Sequence, residues 1–450
     1  MKKIAIAFAI FVAICVVAGV GSSCSRNVFD YDTYDSIVEI KSPVDTVDPN
    51  HTWTLSTKKF IIITVNGNVG AKKLQVLTDD PTTSKKAAVL AQNIVEEGDR
   101  FSMNVSFPTY LKYLYYAVVD EDGAYTIVKA STSQRDIDFS NPMVKSQKLT
   151  YVPDLYYYAF CYEQEMPEPG DYDYNDVVMD LALERVSKTE VYIHVKLAAV
   201  GASEQLAGFI RFPYTVKNDS TALITMDDID SLYTIGGKSF NVNMHGEEIK
   251  KQNVLVVDKS MMNETLVKGK KGEPIINIFL DAHWAIGDVR DNEYGVFGRK
   301  RYNVDYGTTT TTAELQPREI IFVLRVKDPI QLSYLTLEDI DPFVMRLYGN
   351  SRREVHTYPY RSVDALYENK YVELEHLPWA LVIPFGGFYH PLHGQNIGFR
   401  MKTDYNQGVE ILFGAYQERG HSFGEWSVNR NKCIDWFLNE YATKNYVYVW

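Results

Sequence analysis

Between Gly170 and Leu181 the chain reads Gly-Asp-Tyr-Asp-Tyr-Asn-Asp-Val-Val-Met-Asp-Leu, and no other stretch constrains the fold as strongly. Oxygen-bearing side chains occupy alternate positions, Asp171, Asp173 and Asn175, with Asp176 next. The pattern then switches to a period of two. Val177, Met179, Leu181 and Leu183 share one face, and Asp180 and Glu184 share the other. That period belongs to a strand with one face in a core. Val191, Ile193, Val195 and Leu197 repeat it after a short break. An acidic loop therefore opens directly into a sheet.

The rest of the chain favours strands. Residues 59–65 are β-branched and end at the turn signal Asn66-Gly67-Asn68. Residues 73–78, 101–107, 111–119 and 125–129 also read as strands, with a second turn at Asp120-Glu121-Asp122-Gly123. Later strands are predicted at 155–162, 275–279, 319–326 and 379–384. Helical signals are few: residues 83–95, where Ala87, Ala88, Leu90, Ala91 and Ile94 crowd one side, and residues 435–441. The 32 Tyr and 21 Phe suit pleated, half-wet surfaces. The predicted fold class is predominantly all-β, with antiparallel sandwich or jelly-roll-like layers.

The first residues carry an address. Lys2 and Lys3 precede an apolar run at 4–20, then Gly21-Ser22-Ser23 and Cys24. This is the layout of a secretory signal peptide, and the small residues before a cysteine resemble a bacterial lipobox. The expectation is a signal peptide at 1–23 and a lipidated tether at 24–50 that begins at Cys24. More than one acyl chain is needed for firm anchoring, and the triacylated terminus of bacterial lipoproteins meets that need. Ser25 and Arg26 favour sorting to the outer membrane, facing either the cell surface or the periplasm. A small N-terminal β-sandwich at 51–140 and a second β domain at 144–450 complete the expected organisation. A net charge of −12 argues against a nucleic-acid partner, which needs a basic footprint. Cys161 and Cys433 read either as a disulfide or as two buried thiols.

Four ordered blocks resemble the LruC-domain family of bacterial lipoproteins. Tyr162-Glu163-Gln164 and Gly170 to Asp176 resemble its acidic element, and Arg353-Glu354-Val355-His356 its Glu-Ile/Val-His segment. Leu377-Pro378-Trp379-Ala380 matches its Leu-Pro-Trp-Ala block. Gly414-Ala415-Tyr416, Phe423, Trp426 and Asp435-Trp436-Phe437 match its terminus. Gln164 stands where the family has an acid, and the family's Pro-Thr is missing after His356. The resemblance spans residues 145–450 and implies an envelope address and a β fold. It implies no established enzymatic activity.

Hard cations such as Ca²⁺ take six to eight oxygen ligands, and packed anions repel unless something balances them. Asp171, Asp173, Asn175 and Asp176, completed by Glu163 on the preceding strand, form the expected Ca²⁺ site. Counting from Asp171, the sixth and twelfth positions are Asp176 and Ala182, so the loop is not an EF-hand. The alternative is a turn in which these side chains bond local backbone N–H groups. His245, His283, His356 and His376 lack zinc spacing and read as structural. No nucleophile-elbow, Walker or dinucleotide motif occurs. Tyr156-Tyr157-Tyr158, Phe388-Tyr389-His390 and residues 446–450 read as core and edge aromatics or as a sugar platform. The expected function is a non-catalytic, lipid-anchored surface module that binds a glycan or protein. The alternatives are a carbohydrate-active hydrolase that uses Glu163 with the loop aspartates, and a structural subunit of a surface adhesin.

Overall fold

The chain is seen in a computed structural model, which describes residues 47–66, 70–166, 170–213, 223–235, 265–269, 272–287, 299–348, 351–363, 377–403 and 409–450. Cys24, His245 and His376 lie outside the described residues. Among the described residues, no helix is long and apolar enough to cross a membrane.

The first layers are a sandwich. Strands β1 (Ser56–Thr64), β2 (Ala71–Leu77), β3 (Ala88–Ile94), β4 (Arg100–Pro108), β5 (Tyr113–Asp120), β6 (Ala124–Ser131) and β7 (Asp136–Asp138) supply most of it. They are completed by β8 (Val144–Lys148) and β9 (Asp154–Leu155). One sheet runs β4-β1-β7, the other β8-β6-β5-β2-β3-β9. Ile61, Ile63 and Val105 from the first pack against Leu74, Val76 and Tyr116 from the second.

Residues 83–95 are not a helix. Their second half is β3, antiparallel to β2. Gln92 decides the matter: its Oε1 accepts from Gln75 Nε2 at 3.0 Å, and its Nε2 donates to Arg185 O at 2.8 Å. Both partners are distant in sequence, so tertiary bonds override an Ala-rich local preference. Residues 435–441 form turns that end in a 3₁₀ turn at Asn439–Tyr441.

The second sandwich follows. Its strands are β10 (Tyr158–Tyr162), β11 (Val177–Arg185), β12 (Glu190–Ala199), β13 (Gln205–Arg211), β14 (Ile229–Ile235), β15 (Leu266–Lys268) and β16 (Pro274–Phe279). After the short helix α1 (Ala282–Ile286) come β17 (Arg301–Tyr302), β18 (Thr312–Ala313) and β19 (Arg318–Val326). Helix α2 (Pro329–Tyr334) leads to β20 (Asp341–Tyr348), β21 (Ser351–His356) and β22 (Ala380–Ile383). The chain ends with β23 (Phe399–Thr403), β24 (Val409–Phe413) and α3 (Phe423–Val428). The central sheet is β14-β19-β12-β11-β10-β22, and its partner is β15-β16-β13-β20-β21. Within both, the pairs are antiparallel. Val177, Met179 and Leu181 face the core between them, as the period of two requires.

The opposite face of the central sheet is also covered in part. Ala159, Cys161, Val178 and Leu381 lie under Tyr416, Phe423, Trp426 and Trp436, and Trp53 and Leu55 join this core. The chain between residues 140 and 144, expected to separate two domains, does not part these layers. Residues Pro43–Trp450 form one compact unit. Ser56 and Ser106 of the first sandwich both donate to Glu338, and Lys58 pairs with Asp339 at 2.6 Å. Cys161 and Cys433 are free thiols, not a disulfide. Cys161 is buried inside the sheet and Cys433 half-buried on the layer above it.

Candidate metal centre

The acidic loop joins β10 to β11. Tyr162 and Val177 are the last paired residues, so Glu163 and Asp176 follow at the mouth of the hairpin. The first contacts are to the backbone. Tyr174 N donates to Glu163 Oε1 at 2.5 Å, and Gln164 N donates to Asp176 Oδ2 at 2.6 Å. Tyr172 and Tyr174 both have positive φ, 56° and 51°. Non-glycine residues pay about 1–3 kcal/mol for such conformations. Packing offsets that cost here: both rings enter the core under the C-terminal layer, and Tyr174 Oη donates to Pro378 O at 2.8 Å.

A distant segment completes the loop. Gly394 N donates to Asp173 Oδ2 at 2.7 Å, and Ile397 N donates to Tyr172 O at 2.8 Å. Asn175 ties the loop to the same segment, its amide donating to Pro391 O at 3.0 Å. Its Oδ1 is buried without a partner and lies against Gly201.

The carboxyl groups fall into two sets. Glu163, Glu165 and Asp176 each offer an oxygen within 4.8 Å of the others, and so do Asp171, Asp173 and the ring of His393. Ca²⁺–oxygen bonds of about 2.3–2.6 Å place two ligands of one ion no more than roughly 5 Å apart, so the spacing suits a shared ion. Glu163 is fully buried, and its Oε2 has no hydrogen-bond partner. Glu165 Oε2 is likewise buried and unpartnered. Both oxygens border one small space beside Gly170. A Cβ there would sit 2.3 Å from Glu163 Oε2 and 3.2 Å from Glu165 Oε2. An unsatisfied buried acceptor costs about 1–3 kcal/mol, and more when charged, so two facing the same space mark a place where positive charge fits.

The electrostatics agree. Burial first, then the neighbouring charges of Asp171, Asp173, Asp176 and Glu165, push the Glu163 carboxyl well above the usual range. Burial also raises Asp173, with Asp171 adding to it, and Asp176, with Glu165 adding to it. Glu165 rises from burial and the Asp171 charge. His393 is lowered by burial and by Arg301. The Glu163, Glu165 and Asp176 set is all oxygen, which is the chemistry of a hard-cation site, whereas Asp171 and Asp173 are joined by the His393 ring nitrogen.

Of the residues expected from the sequence as one site, Glu163 and Asp176 fall in one set and Asp171 and Asp173 in the other, while Asn175 clamps the loop through Pro391 O. Glu165 and His393 join them without having been foreseen. Glu165 stood two positions from Glu163 and was open to notice. His393 has no local signal, because it arrives from over 200 residues away. The described histidines from the sequence reading have structural partners. His283 Nε2 lies 2.9 Å from Ala202 O, and His356 sits between Asp341 and Glu354.

No family model matches the chain, and no curated protein matches it. Among solved structures, a Bacteroides ovatus protein provisionally described as a lipoprotein is similar over 72% of this chain and 91% of its own, with 14% identity and a TM-score of 0.39.

Proposed function

We propose that this chain is a non-catalytic, lipid-anchored envelope protein whose acidic loop is set by bound Ca²⁺, and that it works as a surface binding module. The observation that carries the calcium reading is the pair of unpartnered, buried oxygens of Glu163 and Glu165 beside Asp176. The anchor rests on the basic, apolar and small-residue run that ends at Cys24. The resemblance to LruC-domain lipoproteins supports the same address. Complete burial of Glu163 weighs against the hydrolase alternative, since a general acid must reach its substrate.

A ligand that binds only the folded state stabilises it by about 2.7 kcal/mol at a hundredfold excess over Kd. Millimolar Ca²⁺ is therefore expected to raise the melting temperature of the mature chain, and a chelator to lower it again. Asp173→Ala is expected to fold, melt lower and lose the calcium response. Identical melting curves with calcium and with chelator, together with no heat of binding in calorimetry, would remove the proposal.

A further inference from the structure

A second constellation lies on the outer face of the central sheet, where the C-terminal layer stops. Asp180, Lys196 and Glu319 are cross-strand partners in one row across β11, β12 and β19. They form an alternating line of acceptor, donor and acceptor. Neighbouring groups hold the row in place. Lys196 Nζ sits 3.9 Å above the Tyr157 ring, Tyr157 Oη donates to Glu319 Oε1 at 2.9 Å, and His194 bridges Glu319 and Glu184 at 3.2 and 3.3 Å. Asp180 is buried and accepts from Gly387 N at 3.2 Å. Burial raises its carboxyl to about 6, against the lowering effects of Gly387 and Lys196.

Asp180 and Lys196 of this row, together with Tyr157, line a cleft of about 1260 Å³. One wall is the turn at Phe385–Gly387, and another is Tyr448–Trp450. Floor and wall meet at Gly386, where a Cβ would lie 2.5 Å from Tyr157 Cβ. Trp450 is 42% exposed, while Tyr448 is held between Tyr306 and His390. A rigid aromatic base thus supports an accessible indole at the rim.

We infer that this cleft binds a neutral oligosaccharide. The volume exceeds the roughly 300–1,000 Å³ of a drug-sized site, so it admits several linked sugar rings. The carbon–hydrogen face of a pyranose packs on an indole, and its hydroxyls both donate and accept, as the acceptor Asp180 and the donor Lys196 beside it demand. The lining sets Lys86 and Lys196 against Asp154, Asp180 and Glu314, a near balance that does not favour a polyanion. A peptide strand would need an open sheet edge, but β11 and β12 are interior strands paired on both sides. The inference stands apart from the calcium reading, because it uses none of the acidic-loop residues.

The test is calorimetry on the mature chain with maltohexaose, cellohexaose, mannohexaose and N-acetylchitohexaose, each at millimolar concentration. At least one is expected to bind. Trp450→Ala, at an exposed position, is expected to weaken that binding at least tenfold while leaving the melting temperature and the calcium response unchanged; Lys196→Met, which keeps the stem over Tyr157 but removes the donor, is expected to weaken it at least tenfold with the calcium response unchanged. Absence of binding by all four, or binding equal in wild type and both variants, overturns the inference.

Discussion

At the scale of single residues, the acidic loop sets charge against burial. The carboxyls of Glu163, Glu165, Asp173 and Asp176 are all raised in the fold, burial being the first cause. A group with a raised folded pKa contributes stability below its unfolded pKa and loses it as pH rises through the folded value. The calcium-free protein is therefore expected to melt progressively lower as pH climbs above about 4, the ordinary carboxyl range. Calcium takes the ionised carboxylates, so its stabilising effect should grow over the same pH range and its binding should release protons. Melting curves across pH, with calcium and with chelator, check both signs; a calcium effect independent of pH would contradict the assignment. Gly170 is the complementary probe. A methyl group there meets Glu163 Oε2 at 2.3 Å, so Gly170→Ala should displace that oxygen and weaken calcium binding at least tenfold by calorimetry.

At the scale of elements, the C-terminal layer is what turns a hairpin loop into a buried site. It contributes little regular structure, and aromatic packing holds it: Trp436 meets Tyr416 and Phe423 edge-on, each at 5.1 Å between centroids. Helix α3 begins at Ser422, whose hydroxyl accepts from Glu425 N. Such a cap contributes about 1 kcal/mol. Trp53 enters from the far end of the chain, 5.4 Å from Trp426, and His51 stacks on it at 4.0 Å. Removing a buried Trp side chain costs about 3–5 kcal/mol. Trp53→Ala should lower the unfolding free energy measured by denaturant titration by that amount and, by loosening the layer above Tyr174, weaken the calcium response as well. A loss below about 1 kcal/mol would show that the N-terminal segment only rests on the layer.

At the scale of the whole molecule, residues Pro43–Trp450 form one compact unit, and the proposed lipid anchor at Cys24 has a direct test. Cys24→Ala is expected to leave precursor or soluble protein, with the lipid mass missing from the N-terminal peptide; a mature terminus elsewhere in mass spectrometry would refute the anchor. The strands β11, β12, β16 and β19 were legible in the chain because alternation is a local property: a residue's face follows from its neighbours two positions away. The acidic loop was legible for the same reason, its donors lying within six consecutive residues, 171–176. Residues 83–95 were misread because helix and strand compete closely in an Ala-rich segment, and Gln75 and Arg185 decide between them from elsewhere. Proximity across the fold was not written locally either. Only the tertiary structure brought His393 to Asp173, set Glu165 beside Glu163 at a space lacking positive charge, and placed Lys196 half-buried beside the buried Asp180 in a cleft rimmed by Trp450. The physical reason is that strand identity comes from short-range periodicity, whereas burial, unpaired oxygens and open clefts depend on which distant segments exclude water from which side chains.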